Sequence, residues 1–181
     1  LGPDPTAGQF TDALATLRGG SPWLHMRQRI HELLAVEPLT GLPAGSLRRA
    51  REDEVPLITE WLEIFQAEIG EPAPITRAAE QRIHAGELYL WDDGEPRSMA
   101  GWTGKTPHGI RVNAVYTPRE WRARGYATAT VAALSQMLLD EGNRFCCLYT
   151  DRANPTSNAI YRRIGYRPVC DSAVYVLIDS N

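Results

Sequence analysis

The feature that most constrains the fold is a run of three strand-like segments joined by short turns. Turn residues lie at Asp93-Gly94 and over Gly104–Gly109, each between two apolar segments of strand length. The segments are Glu87–Trp91, Arg97–Thr103 and Ile110–Tyr116. Strands connected by such short turns run antiparallel, so this part of the chain is predicted to form a meander.

Helices and single strands surround the predicted meander. Before it we expect a strand and two helices, at Leu47–Ala50, from Asp53 to Gly70 and at Thr76–Ala85. After it we expect a helix, a strand, a helix and a strand, at Ala127–Glu141, Phe145–Thr150, Ser157–Ile164 and Val174–Ile178. A meander followed by a βαβ crossover predicts an α/β (mixed α+β) fold, with a mixed, mostly antiparallel central sheet and helices on both faces.

Composition narrows the classes of function. The net charge is -3 over 181 residues, which gives no basic surface for nucleic acid. Three cysteines form neither a disulfide framework nor a metal-binding spacing, and no apolar run is long enough to span a membrane. Lys105 is the single lysine among 19 basic residues, a bias typical of GC-rich coding sequences. We therefore expect a cytoplasmic protein of bacterial origin that binds no metal, nucleic acid or membrane.

The segment from Val115 to Thr128 has the composition of a phosphate-binding turn. It reads Val-Tyr-Thr-Pro-Arg-Glu-Trp-Arg-Ala-Arg-Gly-Tyr-Ala-Thr and connects a predicted strand to a predicted helix. Free N–H groups at the start of a helix bind anions, and Gly125 permits a close approach of the backbone. Arg122 and Arg124 add charge. By itself the pattern is weak, because a surface loop of this composition is common.

A second motif follows the next predicted strand, and together the two resemble the GNAT (Gcn5-related N-acetyltransferase) superfamily. The second motif is Asn154-Pro-Thr-Ser-Asn-Ala-Ile-Tyr-Arg-Arg-Ile-Gly-Tyr166. Arg122-x-x-Gly125-x-Ala127 matches the family's pyrophosphate motif, and Asn154, Tyr161 and Gly165-Tyr166 match its strand–helix motif. The resemblance extends from Leu47 to about Ile178.

The resemblance implies a site for acetyl-CoA and assigns roles by position. Pantetheine would pair with the backbone at Val115, Tyr116 and Thr117, and would contact Asn154 and Asn158. The pyrophosphate would bind the backbone of Arg122, Ala123, Arg124, Gly125, Tyr126, Ala127 and Thr128. Tyr161 would be the general acid near the sulfur. The reaction implied is acetyl transfer to a small-molecule or peptide amine by direct attack.

The amine's base, the acceptor and the oligomeric state stay open at the level of sequence. A lysine-type amine needs a base or a water relay to lose its proton. Candidate bases are Glu63, Glu68, Glu87, His84 and His108, and Asn113 is a possible substrate contact. The acceptor, the acyl chain length and a possible homodimer are not determined.

The first 45 residues lie outside the resemblance. Phe10–Leu17 is predicted to be helical, and Trp23–Leu34 fits a strand better than a helix. Pro38–Ser46, rich in proline and glycine, reads as a linker. We therefore expect residues 1–45 to be an appendage, possibly a remnant of another acyltransferase-like half, and residues 46–181 to be an independent acetyltransferase domain.

Two other classes of function compete with an enzyme. A non-catalytic CoA-binding module would keep the phosphate loop but show no turnover. A structural partner domain would bind no ligand at that loop. A dinucleotide site is disfavoured, because no Gly-x-Gly-x-x-Gly follows an early strand.

Overall fold

A computed structural model describes residues 1–70 and 76–178, and its described strands form one eight-stranded sheet. The spatial order is β1-β8-β2-β7-β6-β5-β4-β3, and every neighbouring pair is antiparallel except β6 and β7. The strands are β1 Gly2–Pro3, β2 Ser21–Leu33, β3 Ser46–Arg49, β4 Leu88–Asp92, β5 Pro96–Thr103, β6 Gly109–Tyr116, β7 Phe145–Asp151 and β8 Arg167–Ile178.

Five α-helices accompany this sheet within the described residues. They are α1 Thr6–Arg18, α2 Val55–Ile69, α3 Thr76–His84, α4 Tyr126–Asp140 and α5 Pro155–Ile164. Pro56 occupies the first turn of α2, where a missing N–H costs no hydrogen bond, and Gly70 ends the helix in the left-handed conformation. The predicted fold class, a mixed and mostly antiparallel sheet within an α/β fold, is confirmed.

Helices cover both faces of the sheet, and each of the two faces has its own apolar cluster beneath them. On one face α4 and α5 pack against β6 and β7, with Val131, Leu134 and Ile164 fully buried. On the other face α2 and α3 cover β4 and β5 with Ile58, Trp61, Leu62, Ala79 and Ile83. The two parallel strands at the centre, β6 and β7, thus lie over the first of these clusters.

The prediction that residues 1–45 are an appendage is wrong at the level of the sheet. Strand β2 lies between β7 and β8 and pairs antiparallel with both. Leu33 at its end is fully buried in the cluster beneath α4 and α5. Without β2, the facing edges of β7 and β8 would lose their ladder hydrogen bonds, so the strand completes the domain.

The predicted linker is also attached to the domain along its length. The Glu37 N–H donates to the carbonyl of Ile164 at 2.9 Å, and the Arg163 guanidinium donates to the carbonyl of Thr40 at 2.7 Å. Further on, the Trp91 indole N–H donates to the carbonyl of Ala44 at 2.8 Å. The segment therefore runs from the end of α5 to β4 and is hydrogen-bonded to both.

Candidate active site

A cleft opens between the two parallel strands at the centre of the sheet. The ladder between β6 and β7 includes Gly109, Ile110 and Arg111 on one side and Phe145, Cys146 and Cys147 on the other, and goes no further. Beyond it the strands diverge around a cavity of about 880 Å³. The edge of β6 from Val112 to Tyr116 therefore faces this space with no strand of the described residues paired to it.

A bulge in β6 shapes the wall of the cleft. Between Met99 and Gly101 of β5, the opposing residues on β6 advance from Tyr116 to Asn113, so β6 carries one extra residue. Ala114 adopts a positive φ of 49° at this point. An extra residue shifts the alternation of side chains. Val112 accordingly packs under α4, while Ala114 packs under α2.

The loop after β6 presents backbone N–H groups to the cleft. Ala123 and Gly125 have positive φ of 62° and 87°, and α4 begins at Tyr126. The first hydrogen bond of that helix is donated by the Ala129 N–H to the Gly125 carbonyl at 3.0 Å. The N–H groups of residues 126–128 precede this bond and have no intrahelical acceptor. An anion placed next to them would be stabilised by these N–H groups and by the helix dipole.

The two arginines of this loop have different surroundings. The Arg122 guanidinium lies between the Glu68 carboxylate, at 2.9 Å, and the Thr117 carbonyl, at 2.8 Å. Arg124 stacks over the Trp121 ring, with its Cζ 4.7 Å from the ring centroid, and does not border the cleft. Arg122 is therefore placed at the cleft and Arg124 outside it.

The connection from β7 to α5 is fixed by two asparagines. Asn154 caps α5, because its Oδ1 accepts from the Ser157 N–H at 3.1 Å. Asn158 donates to the carbonyls of Asp151 and Asn154 and accepts from the Thr150 hydroxyl at 2.8 Å. Asn154 borders the cleft and Asn158 does not. Asn158 holds the end of β7 to α5, a role that the sequence did not suggest.

Tyr161 lies at the bottom of the cleft and within the core. The residue is 8% exposed and borders the cleft, while its ring packs edge-on against Tyr166 with centroids 5.9 Å apart. Burial raises the pKa of Tyr161 to about 12. The phenol is therefore protonated at neutral pH and can donate a hydrogen bond.

All the other predicted site residues border the same cleft, and most of the predicted bases do not. The walls include Val115, Tyr116, Thr117, Ala123, Gly125, Tyr126, Ala127 and Thr128. Among the candidate bases only Glu68 lies there, whereas Glu63, Glu87, His84 and His108 lie elsewhere. Asn113 borders the cleft, and its Oδ1 accepts from Arg82 at 2.8 Å.

Further residues border the cleft that the sequence did not mark as part of the site. Met26 and Gln28 come from β2, Gln66 from α2 and Arg82 from α3. Burial lowers the pKa of Arg82, and the nearby carboxylate of Glu87, at 3.4 Å, only partly offsets that decrease. No local motif marks these residues, because they reach the cleft only through strand order and helix packing.

Two negative findings apply to the described residues. No helix in this part of the chain is both long and apolar enough to cross a bilayer. No group of three His, Cys, Asp or Glu side chains within residues 1–70 and 76–178 is arranged to hold a metal ion.

Known proteins are similar to this chain mainly in fold. A family model described as FR47-like protein matches residues 90–176. A Novosphingobium aromaticivorans structure assigned to the GNAT acetyltransferases aligns at 19% identity, with a TM-score of 0.65, over 88% of this chain and 68% of its own. A Drosophila structure aligns at 15% identity, with a TM-score of 0.71, over 98% of this chain and 59% of its own. No curated protein sequence matches.

One shorter structure of similar fold is described together with a ligand. A Clostridium acetobutylicum structure described as an acetyltransferase with acetyl-CoA aligns at 15% identity, with a TM-score of 0.55, over 70% of this chain and 92% of its own. The chain spans 63% and 58% of two further GNAT structures, from Colwellia psychrerythraea and Sphaerobacter thermophilus. The family model covers just under half of the chain, and the aligned structures show that the chain shares the fold of GNAT acetyltransferases.

Proposed function

We propose that the protein is an N-acetyltransferase that moves an acetyl group from acetyl-CoA to an amine by direct attack. The observation that carries the proposal is the split between β6 and β7, whose open end leads to the free N–H groups at the start of α4. A long, narrow ligand with a phosphate at one end and an extended amide-bearing arm at the other matches both features.

The pyrophosphate end fits the loop between residues 122 and 128. Ala123 and Gly125, both at positive φ, direct the N–H groups of the loop and of the first turn of α4 toward the cleft. A side chain at Gly125 would also approach the Pro43 ring at 3.4 Å, so the position is closed on that side by the segment before β3. Phosphate oxygens would occupy the remaining space.

The arm of the ligand fits the unpaired edge of β6. Residues 112–116 have strand geometry but no partner strand on the side that faces β7. An extended chain of amides can add to such an edge through backbone hydrogen bonds. That placement directs the thioester toward the bottom of the cleft, which Tyr161 borders.

Tyr161 stabilises the departing sulfur in this proposal. Acetyl-CoA supplies the acetyl thioester, whose carbonyl carbon the amine attacks. The raised pKa of about 12 makes Tyr161 a weaker acid than a coenzyme thiol of pKa about 8.5, so a hydrogen bond to the developing thiolate is favoured over complete proton transfer. The final proton on sulfur then comes from water.

The amine loses its proton to water that enters the open cleft. Among the described residues, the carboxylates that border the cleft are Glu68 and Asp151. Arg122 binds Glu68 at 2.9 Å, and the Ala153 N–H donates to Asp151 at 2.8 Å, so both are already used. Neither is assigned as a base, and we expect acceptor turnover to rise with pH as the neutral amine becomes more abundant.

The proposal is tested by acetyl-CoA binding and turnover in wild-type protein and in Gly125→Glu. The substitution adds bulk and negative charge where the phosphates approach, and calorimetric affinity should fall at least about 30-fold. Gly94→Glu is the matched control, because Gly94 has a similar φ of 82° and open space around it but lies outside the cleft. Equal affinities in the two variants would exclude the loop as the phosphate site. Binding without release of CoA to any amine would favour a non-catalytic CoA-binding module.

A further inference from the structure

One end of the cleft carries a guanidinium that no carboxylate of the described residues pairs with. Arg111 lies between Ile110 and Val112, which are buried under α4, so its side chain points to the opposite face of the sheet. There its Cζ lies 4.1 Å from the centroid of the Tyr149 ring on β7. Within the described residues no Asp or Glu oxygen lies within the 4.0 Å expected of an ion pair, as the described ion pairs involve other arginines.

Three polar atoms in the walls of the cleft are buried and lack a hydrogen-bond partner among the described residues. They are Arg111 Nε, Gln28 Oε1 and Gln66 Oε1. An unsatisfied buried polar atom costs about 1–3 kcal/mol, so native structures keep few of them without a reason. Here one N–H group of a charged guanidinium and two amide oxygens border the same cleft. A ligand with matching groups would satisfy all three.

These residues come from three elements that surround the open part of the cleft. Gln28 on β2 is directly opposite Asp151 on β7. Tyr149 precedes Asp151 by two residues and therefore lies on the same face of β7. Gln66 reaches the cleft from α2, on the helical layer that covers this face. Arg111 is the last residue of β6 in the ladder with β7. The cluster therefore lies where the strands begin to separate.

Among the described charged groups at this end, Arg111 is the cation without a paired carboxylate, and it favours an anionic ligand. Arg82 also borders the cleft, but its Nε lies 3.4 Å from a carboxylate oxygen of Glu87, a residue outside the walls. Asp151 is the carboxylate on this side, and it is opposite Gln28 rather than Arg111. A carboxylate matches the planar donor geometry of a guanidinium, and the ring of Tyr149 holds that guanidinium in place.

We propose that the acceptor is an amino-acid-like amine, whose carboxylate binds Arg111 and whose amine is hydrogen-bonded by the side-chain amides of Gln28 and Gln66. The assignment of a reacting amine rests on the proposed acetyl transfer, while the carboxylate site is a statement about binding. The amides orient the nitrogen, and the arginine fixes the rest of the molecule. Arg111 is thus a specificity-determining residue.

The wild-type protein tests the proposal without any substitution. A set of L-amino acids is compared with the corresponding primary amides and decarboxylated amines, with release of CoA as the readout. The amides have more acidic ammonium groups than the amino acids and the decarboxylated amines have more basic ones. A carboxylate preference of at least 10-fold in kcat/KM over both therefore cannot arise from amine basicity. Equal or lower kcat/KM for the amino acids would overturn the proposal.

Calorimetry separates this proposal from the proposed function. Amino acids are titrated into protein saturated with CoA, and acetyl-CoA is titrated into the free protein. If acetyl-CoA fails to bind, the proposed function fails. If acetyl-CoA binds but no amino acid in the set binds or is acetylated, the carboxylate site is refuted and the transferase proposal is not.

Arg111→Gln and Arg167→Gln form the matched pair of variants. Arg111→Gln removes the charge at the site and should lower kcat/KM for amino acids 10- to 100-fold, with little change for decarboxylated amines and acetyl-CoA affinity within about 2-fold. Arg167 is exposed and outside the cleft, so its substitution should change none of these values. Arg111→Lys should recover part of the preference. A uniform loss for charged and uncharged acceptors would show a structural role and contradict the proposal.

Discussion

The substitution Leu33→Ala tests whether the N-terminal segment belongs to the same domain as the rest of the described chain. Leu33 is the last residue of β2 and pairs with Cys146 of β7. It is fully buried, and it packs in the cluster that holds Ile164 and Tyr166, far along the chain. An independent appendage would place no side chain in that cluster.

The size of the effect follows from burial. Leu→Ala substitutions at fully buried sites cost about 2–5 kcal/mol, from lost transfer energy and the cavity left behind. The neighbours of Leu33 belong to a sheet and cannot collapse easily, so we expect about 3 kcal/mol or more. A domain of this size has a total stability of about 5–15 kcal/mol. Tm should then fall by about 6–12 °C.

Leu34 provides the control one residue away. It is 68% exposed, so Leu34→Ala should change the free energy of unfolding by less than about 0.5 kcal/mol. Urea unfolding is followed by tryptophan fluorescence and by circular dichroism, and for Leu33→Ala both midpoints should shift together by about 1 M or more. A Leu33→Ala variant as stable as Leu34→Ala would refute the position of β2 in the sheet. Separate transitions for the two probes would instead support two domains.

Three further predictions concern single side chains. Tyr161→Phe removes the hydroxyl but keeps the ring that packs on Tyr166, so kcat should fall on the order of 10-fold to 10²-fold while acetyl-CoA affinity changes by less than a few-fold. An unchanged kcat, with the chemical step rate-limiting, would remove the tyrosine from the mechanism. Burial lowers the pKa of His31, so the unfolded chain takes up a proton at this residue more readily than the folded chain does. The free energy of unfolding should therefore keep the full contribution of His31 above about pH 6.5 and fall as the pH drops toward 5. In urea titrations, His31→Gln should make the free energy of unfolding depend less on pH. Cys170 is exposed, whereas burial raises the pKa of the Cys146 thiol to about 12. A disulfide reagent should therefore modify Cys170 rapidly and Cys146 only after unfolding. Equal rates of modification in the native protein would contradict the burial of Cys146.

The sequence determined the features that depend on near neighbours. The helical spacing of Val131, Leu134 and Leu138 predicts α4, and the turn residues at Asp93-Gly94 predict the hairpin between β4 and β5. Gly125 and Ala127 predict the place where α4 begins, and the helix starts at Tyr126. Each of these signals lies within a few residues of the element it specifies, so it can be interpreted without knowing the rest of the chain.

The tertiary structure alone decided which strands are neighbours and what their separation exposes. The sequence identified Trp23–Leu34 as a strand but could not place it between β7 and β8, because pairing over more than a hundred residues leaves no local pattern. The bulge at Ala114 has no sequence signal either, since alanine rarely adopts positive φ and does so here only because its neighbours enforce it. Gln28, Gln66 and Arg111 are ordinary polar residues in the sequence. They become a binding site because three separate elements close around one split in the sheet, and that proximity is a property of packing rather than of any segment.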